Sequence, residues 1–157
     1  MKTYATLCCA VALTGCGAVG IAKTQFRAVD EPTDGERARV RVIANSPVKA
    51  MPNRDCIDWD APGAGIAAAM GPLGSSGYLG RLIGMPDGEQ YRRGSTAEFY
   101  VAAGQPYTLV LITGPESSTQ CSAGVSFVPN ANTDYEATLL LSSGFAPASQ
   151  DTRTSLS

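Results

Sequence analysis

Residues 96–113 read TAEFYVAAGQPYTLVLIT. Two runs of β-forming residues flank Ala103-Gly104-Gln105-Pro106, a tetrapeptide with the turn chemistry that sends one strand back along another. The second run, Tyr107 to Ile112, is densely apolar and reads as a strand buried in a core. The same grammar recurs along the chain. In RARVRVIA, residues 37–44, Arg37, Arg39 and Arg41 alternate with Ala38, Val40 and Val42. That period of two belongs to a strand with one buried and one basic face. A short strand is expected around Val48 to Met51. CSAGVSFVP places Val125 and Phe127 on one face of a strand that Cys121 opens. YEATLLLSS does the same with Tyr135, Ala137, Leu139 and Leu141. Turn signals every ten or so residues complete the pattern of an all-β chain, folded as a single antiparallel β-sandwich.

Composition agrees. A chain of 157 residues suits one domain, and 17 glycines with 10 prolines favour short elements joined by turns over long helices. The one helical expectation is a short helix over Ala64 to Met70, where alanine is frequent. Residues 17–36 show no clean apolar period and end in turn residues, so residues 16–36 read as a flexible tether. The sandwich is placed at residues 37–145. Residues 146–157 carry no apolar pattern and read as a disordered tail.

The first fifteen residues have a different character. Met1-Lys2 supplies a charged start, Tyr4 to Leu13 an apolar run of ten, and small residues follow. This is the layout of a secretory signal, too short to span a bilayer. It ends in Leu13-Thr14-Gly15-Cys16, which resembles the lipobox of bacterial lipoproteins. The resemblance implies a signal peptide over residues 1–15 and lipidation of Cys16, whose thiol is nucleophilic enough to form a thioether. A glycine rather than aspartate at position 17 implies sorting to the outer membrane, with the domain facing the periplasm. One acyl chain anchors only marginally, and the two or three expected at Cys16 anchor durably.

Cys8 and Cys9 would leave with the signal. Cys56 and Cys121 then remain as one pair in a compartment that permits disulfides. Closing a loop of roughly 65 residues would stabilise the fold by about 4 kcal/mol on chain entropy.

Histidine is absent, which removes most acid–base and metal chemistry near neutral pH. Gly74-Ser75-Ser76-Gly77 is no nucleophile elbow, because Tyr78 stands where G-x-S-x-G needs spacing to a glycine. The three lysines, Lys2, Lys23 and Lys49, complete neither a P-loop nor an S-x-x-K motif. Asp55, Asp58 and Asp60 cluster near Trp59, the sole tryptophan, without the spacing of a calcium loop. Neither a metal nor a cofactor is expected, and the chain is read as no enzyme. The net charge of −2 gives no footprint for nucleic acid. Two loops remain as candidate binding elements: Asp58, Trp59 and Asp60, and the cationic–aromatic group Tyr91, Arg92 and Arg93. The arginines of residues 37–41 are expected to be solvated or paired with acids across the sheet.

EFYVAAGQPYTLVL with CSAGVSFVPNANTDYEATL resembles small proteobacterial envelope lipoproteins with a transthyretin-like or immunoglobulin-like sandwich. The matching positions are Ala103, Gly104, Pro106, Cys121, Phe127, Pro129, Tyr135 and Glu136. The resemblance covers about a quarter of the chain and brings no catalytic residues. Taken together, the expectation is a lipid-anchored, non-catalytic binding or scaffolding module whose partners are the membrane, through Cys16, and another envelope protein. An inhibitor or immunity protein against a cell-wall hydrolase is the alternative.

Overall fold

The computed structural model describes residues 23–70, 74–91, 96–113 and 122–141. Seven strands form: β1 (Arg37–Ala44), β2 (Val48–Pro52), β3 (Gly65–Ala68), β4 (Thr96–Ala102), β5 (Tyr107–Ile112), β6 (Ser122–Phe127) and β7 (Asp134–Leu139). They make two sheets, ordered β4-β1-β7 and β3-β2-β5-β6, packed as an all-β sandwich. The expected turn at residues 103–106 joins β4 to β5 across the two sheets.

Alternation decides which side chains meet. Ala38, Val40, Val42 and Ala44 of β1 point inward with Ala97, Phe99 and Val101 of β4, and with Ala137 and Leu139 of β7. The second sheet answers with Val48, Ala50, Leu109 and Leu111. Each large apolar side chain buried this way contributes about 1.5–3 kcal/mol. Through this core runs a row of five aromatic rings. Tyr78, Phe99, Tyr107, Phe127 and Tyr135 follow one another with centroids 5.6, 6.3, 6.2 and 5.3 Å apart. Offset and tilted contacts at these distances suit the ring quadrupoles.

Three expectations need correction. The sandwich is not wholly antiparallel: β7 runs parallel to β1, with Arg39 registered to Asp134 and Ala44 to Leu139. The Ala-rich segment 64–70 holds the strand β3 over Gly65–Ala68, not a helix. β3 pairs with β2, and at Gly65 an added Cβ would lie 2.5 Å from the Ala28 carbonyl oxygen. Close packing of two backbones outweighs the helical preference of alanine.

The third correction concerns the tether. From Lys23 onward the N-terminal segment is part of the folded body. Val29 donates its N–H to the Ile66 carbonyl, the Arg27 carbonyl accepts the Ile66 N–H, and Asp30 donates to the Gly63 carbonyl. Thr24 and Val29 are buried. The segment closes the free edge of β3. Its bonds are to residues far along the chain, from Gly63 to Ser75, so no local periodicity announces them.

Candidate functional site

The outer face of sheet β4-β1-β7 explains the arginine row. Register brings Arg39 opposite Asp134, and Arg41 opposite both Glu98 and Glu136. Arg39 makes two 2.7 Å bonds to Asp134. Arg41 holds Glu98 at 2.7 Å and Glu136 at 3.1 Å. Arg37 stacks on Tyr100 at 4.9 Å. The expected pairing across the sheet is therefore what the arginines do.

The loop that follows residue 80 covers this network. Ile83 donates its N–H to Glu98 at 2.7 Å, and Tyr91, at the end of the 3-10 turn Gly88–Tyr91, lies 4.5 Å from the Arg41 guanidinium. Tyr91 is thus committed to an internal arginine. Arg92 and Arg93 lie outside the described residues.

The other candidate loop also folds back on its own sheet. Asp58 accepts from Arg54 at 2.8 Å and from the Asp60 N–H at 3.1 Å. These bonds, the arginine's first, hold its carboxyl below the usual range. Asp60 is exposed. Trp59 caps a small apolar cluster of Met51, Ala61, Ala64 and Val110 on the outer face of sheet β3-β2-β5-β6. Under it lies Lys49, fully buried, with Nζ 5.2 Å from the indole and donating to the Thr24 hydroxyl at 2.8 Å. Burial lowers the Lys49 pKa to about 8. In sequence Lys49 is only a lysine that belongs to no motif; its burial is set by what folds over β2.

Cys56 is exposed in the same loop and bears no disulfide within the described residues. Cys16 and Cys121 lie outside them, so the expected lipidation and pairing do too. Among the described residues there is no cluster of metal-ligating side chains, and no helix is long and apolar enough to cross a membrane.

One concave feature was missed by sequence reading. At the end of the sandwich, the N-terminal segment, the β2–β3 loop and the β4–β5 turn line a half-open pocket of about 260 Å³. Its polar lining includes Asp30, Glu31, Asn53 and Gln105, with Pro32, Pro52 and Pro62 among the remainder. Gly63 has φ +79°, and an added Cβ there would press on Asp30 at 3.3 Å, so the wall needs glycine.

Tyr107 borders this pocket, but its hydroxyl is not exposed to it. Of the tyrosines in the aromatic row, Tyr78 donates its hydroxyl to the Val29 carbonyl at 2.6 Å, and Tyr135 accepts the Asn130 N–H at 2.9 Å. The Tyr107 hydroxyl is buried and has no hydrogen-bond partner among the described residues. Burial first, then Tyr78 and Glu31, push its pKa well above the usual phenol value, so it stays protonated. A buried hydroxyl left unpaired costs about 1–3 kcal/mol. Nearby, Glu31 takes a bidentate bond from Arg81 at 2.9 and 3.0 Å and caps the Tyr100 N–H at 2.7 Å.

Comparison with known proteins adds no relative: no protein-family model, no curated protein and no solved structure matches the chain.

Proposed function

We propose that this chain is an outer-membrane lipoprotein, lipidated at Cys16 and facing the periplasm, whose sandwich serves as a binding module of the cell envelope. The observation that carries the binding part is the pocket at the end of the sandwich, lined by Asp30, Glu31, Asn53 and Gln105 beside Pro32, Pro52 and Pro62. Pre-formed concave sites with a few convergent polar groups are the usual form of a ligand site. The anchor part rests on the lipobox Leu13-Thr14-Gly15-Cys16 behind a charged start and an apolar run.

The docked N-terminal segment bears on both parts. Residues 17–22 are the whole connection from Cys16 to Lys23, a reach of at most about 25 Å when extended. The segment then passes along β3 at Ala28 and ends at the cavity with Asp30 and Glu31. An anchored module would sit within that reach of the bilayer. The inhibitor reading has less support, because Asp58, Trp59 and Tyr91 are held by Arg54, Lys49 and Arg41 of the same chain rather than offered to a partner.

The test is the intact mass of the mature protein from a bacterial host, beside a Cys16→Ser variant. The expected result is a chain beginning at residue 16 with added acyl mass that the variant loses. A mature chain cut elsewhere and carrying no acyl group would overturn the anchor. Cross-linking and co-purification from detergent extracts test the module role: a reproducible envelope partner supports it, and recovery of the chain alone counts against it.

A further inference from the structure

We infer that the outer edge of β6 is a docking edge for a second copy of this chain, joined as an antiparallel β6–β6 pair about a twofold axis at Val125. The inference is independent of the anchor and of the pocket.

The four sheet edges are treated differently by the fold. At β3, the N-terminal segment takes both backbone groups of Ile66, through Val29 and Arg27. At β4, the Gly80 N–H bonds the Thr96 carbonyl, the Glu98 N–H bonds the Arg81 carbonyl, and the Tyr100 N–H bonds the Glu31 carboxylate. β7 carries Asp134 and Glu136, and charge on an edge discourages pairing with a copy. β6 has none of these devices. Among the described residues its only strand partner is β5. In such a ladder alternate residues turn their N–H and C=O groups away from the sheet, where they can template another strand.

The side chains of β6 are equally uncovered. Ser122, Gly124 and Ser126 are exposed, and Ala123, Val125 and Phe127 on the inner face are only half-buried. Phe127 and Tyr135 end the aromatic row on this side, 5.3 Å apart. Val128, just past the strand, is 56% exposed.

Charge and size select a copy as the occupant. Residues 117–133 contain no Asp, Glu, Lys or Arg, so the edge offers a foreign partner no charge to recognise and its own copy no like charge to repel. Directly opposed residues of an antiparallel pair lie on the same face. With Val125 opposite itself, the inner face sets Ala123 against Phe127, small against large, and the outer face sets Gly124 against Ser126. Val128 then meets Ser122 of the second copy. The two four-stranded sheets become one continuous sheet, and the half-buried inner residues of each copy gain cover from the other.

The experiment counts chains by native mass spectrometry of the full chain purified in detergent, over a range of concentrations. It reads the number of chains with or without acyl mass on Cys16. Dimer is expected to rise with concentration, and the β6 amides are expected to gain protection from hydrogen exchange in step. Val125→Lys and Val125→Glu each place like charges about 4.5–5.5 Å apart across the axis and are expected to lower the dimer fraction by about tenfold. Mixing the two variants is expected to restore dimer as a Lys–Glu heterodimer, which a variant that merely disturbs the fold would not do. Thermal unfolding confirms that each variant folds. Should either fail, the exchange rates of β6 in the unaltered chain still decide.

A chain that stays monomeric at every concentration would overturn the inference, whether its β6 amides exchange freely or are covered from within the same chain. Dimer that persists in both variants would overturn the location. A different protein held at β6 while this chain remains single would overturn the choice of occupant.

Discussion

Arg41 and Glu98 face each other on β1 and β4 and close an ion pair at 2.7 Å in which neither side chain is more than 5% exposed. Glu136 holds the arginine from the other side, and the Ile83 N–H holds the second oxygen of Glu98. Removing Arg41 leaves Glu98 buried with no cation beside it. Arg41→Met is expected to cost about 3–5 kcal/mol, and replacing both residues by methionine is expected to recover most of it. Urea unfolding of the two single variants and the double variant tests this. Additive losses would show that the pair is not coupled.

The row of aromatic rings yields opposite expectations for two similar changes. Tyr78→Phe deletes a bond to the Val29 carbonyl and should lower stability by about 1 kcal/mol. Tyr107→Phe deletes a hydroxyl with no partner and should raise it by a similar amount. Thermal unfolding of the unliganded variants decides; destabilisation by Tyr107→Phe would mean that the hydroxyl is satisfied in solution.

Lys49 should leave a signature in the pH dependence. Its pKa is lowered to about 8 by burial, from an ordinary 10.5. Between these values the unfolded chain binds the proton that the folded chain has released, so this group makes stability rise with pH. The gain from pH 8 to 9.5 is about 2 kcal/mol at most. It is absent below pH 8, where both states are protonated. Chemical unfolding at a series of pH values should show the slope in the parent protein and none in Lys49→Met. Equal slopes would place the effect elsewhere.

The N-terminal segment should behave as structure. The Val29 and Asp30 amides donate to Ile66 and Gly63. They are expected to resist hydrogen exchange like the amides of β2, while a tether would exchange at the unprotected rate. Val29→Ala, at a side chain buried in the core, should destabilise the domain by about 0.5–2 kcal/mol.

Alternation and turn chemistry made the strands legible without any tertiary information. The inward faces of β1, β6 and β7 could be read because a strand with one buried face repeats every two residues. The turn at residues 103–106 was equally local. Composition already spoke against histidine chemistry and nucleic-acid binding, and the cysteine behind the first apolar run supplied the anchor hypothesis. What sequence could not give was pairing between distant segments. Residues 23–31 carry no period because they bond to β3 through backbone groups, which every residue shares. Alternation names the two faces of a strand but not what covers the outer one; over Lys49 the cover is Trp59 and Thr24. The cavity is the same case on a larger scale. Its walls come from the N-terminal segment, the β2–β3 loop and the β4–β5 turn, and Tyr107 reads in sequence as one more apolar strand residue. Only the packed fold shows that its hydroxyl lacks a partner, because hydrogen-bond satisfaction is a property of three-dimensional neighbours and not of the chain.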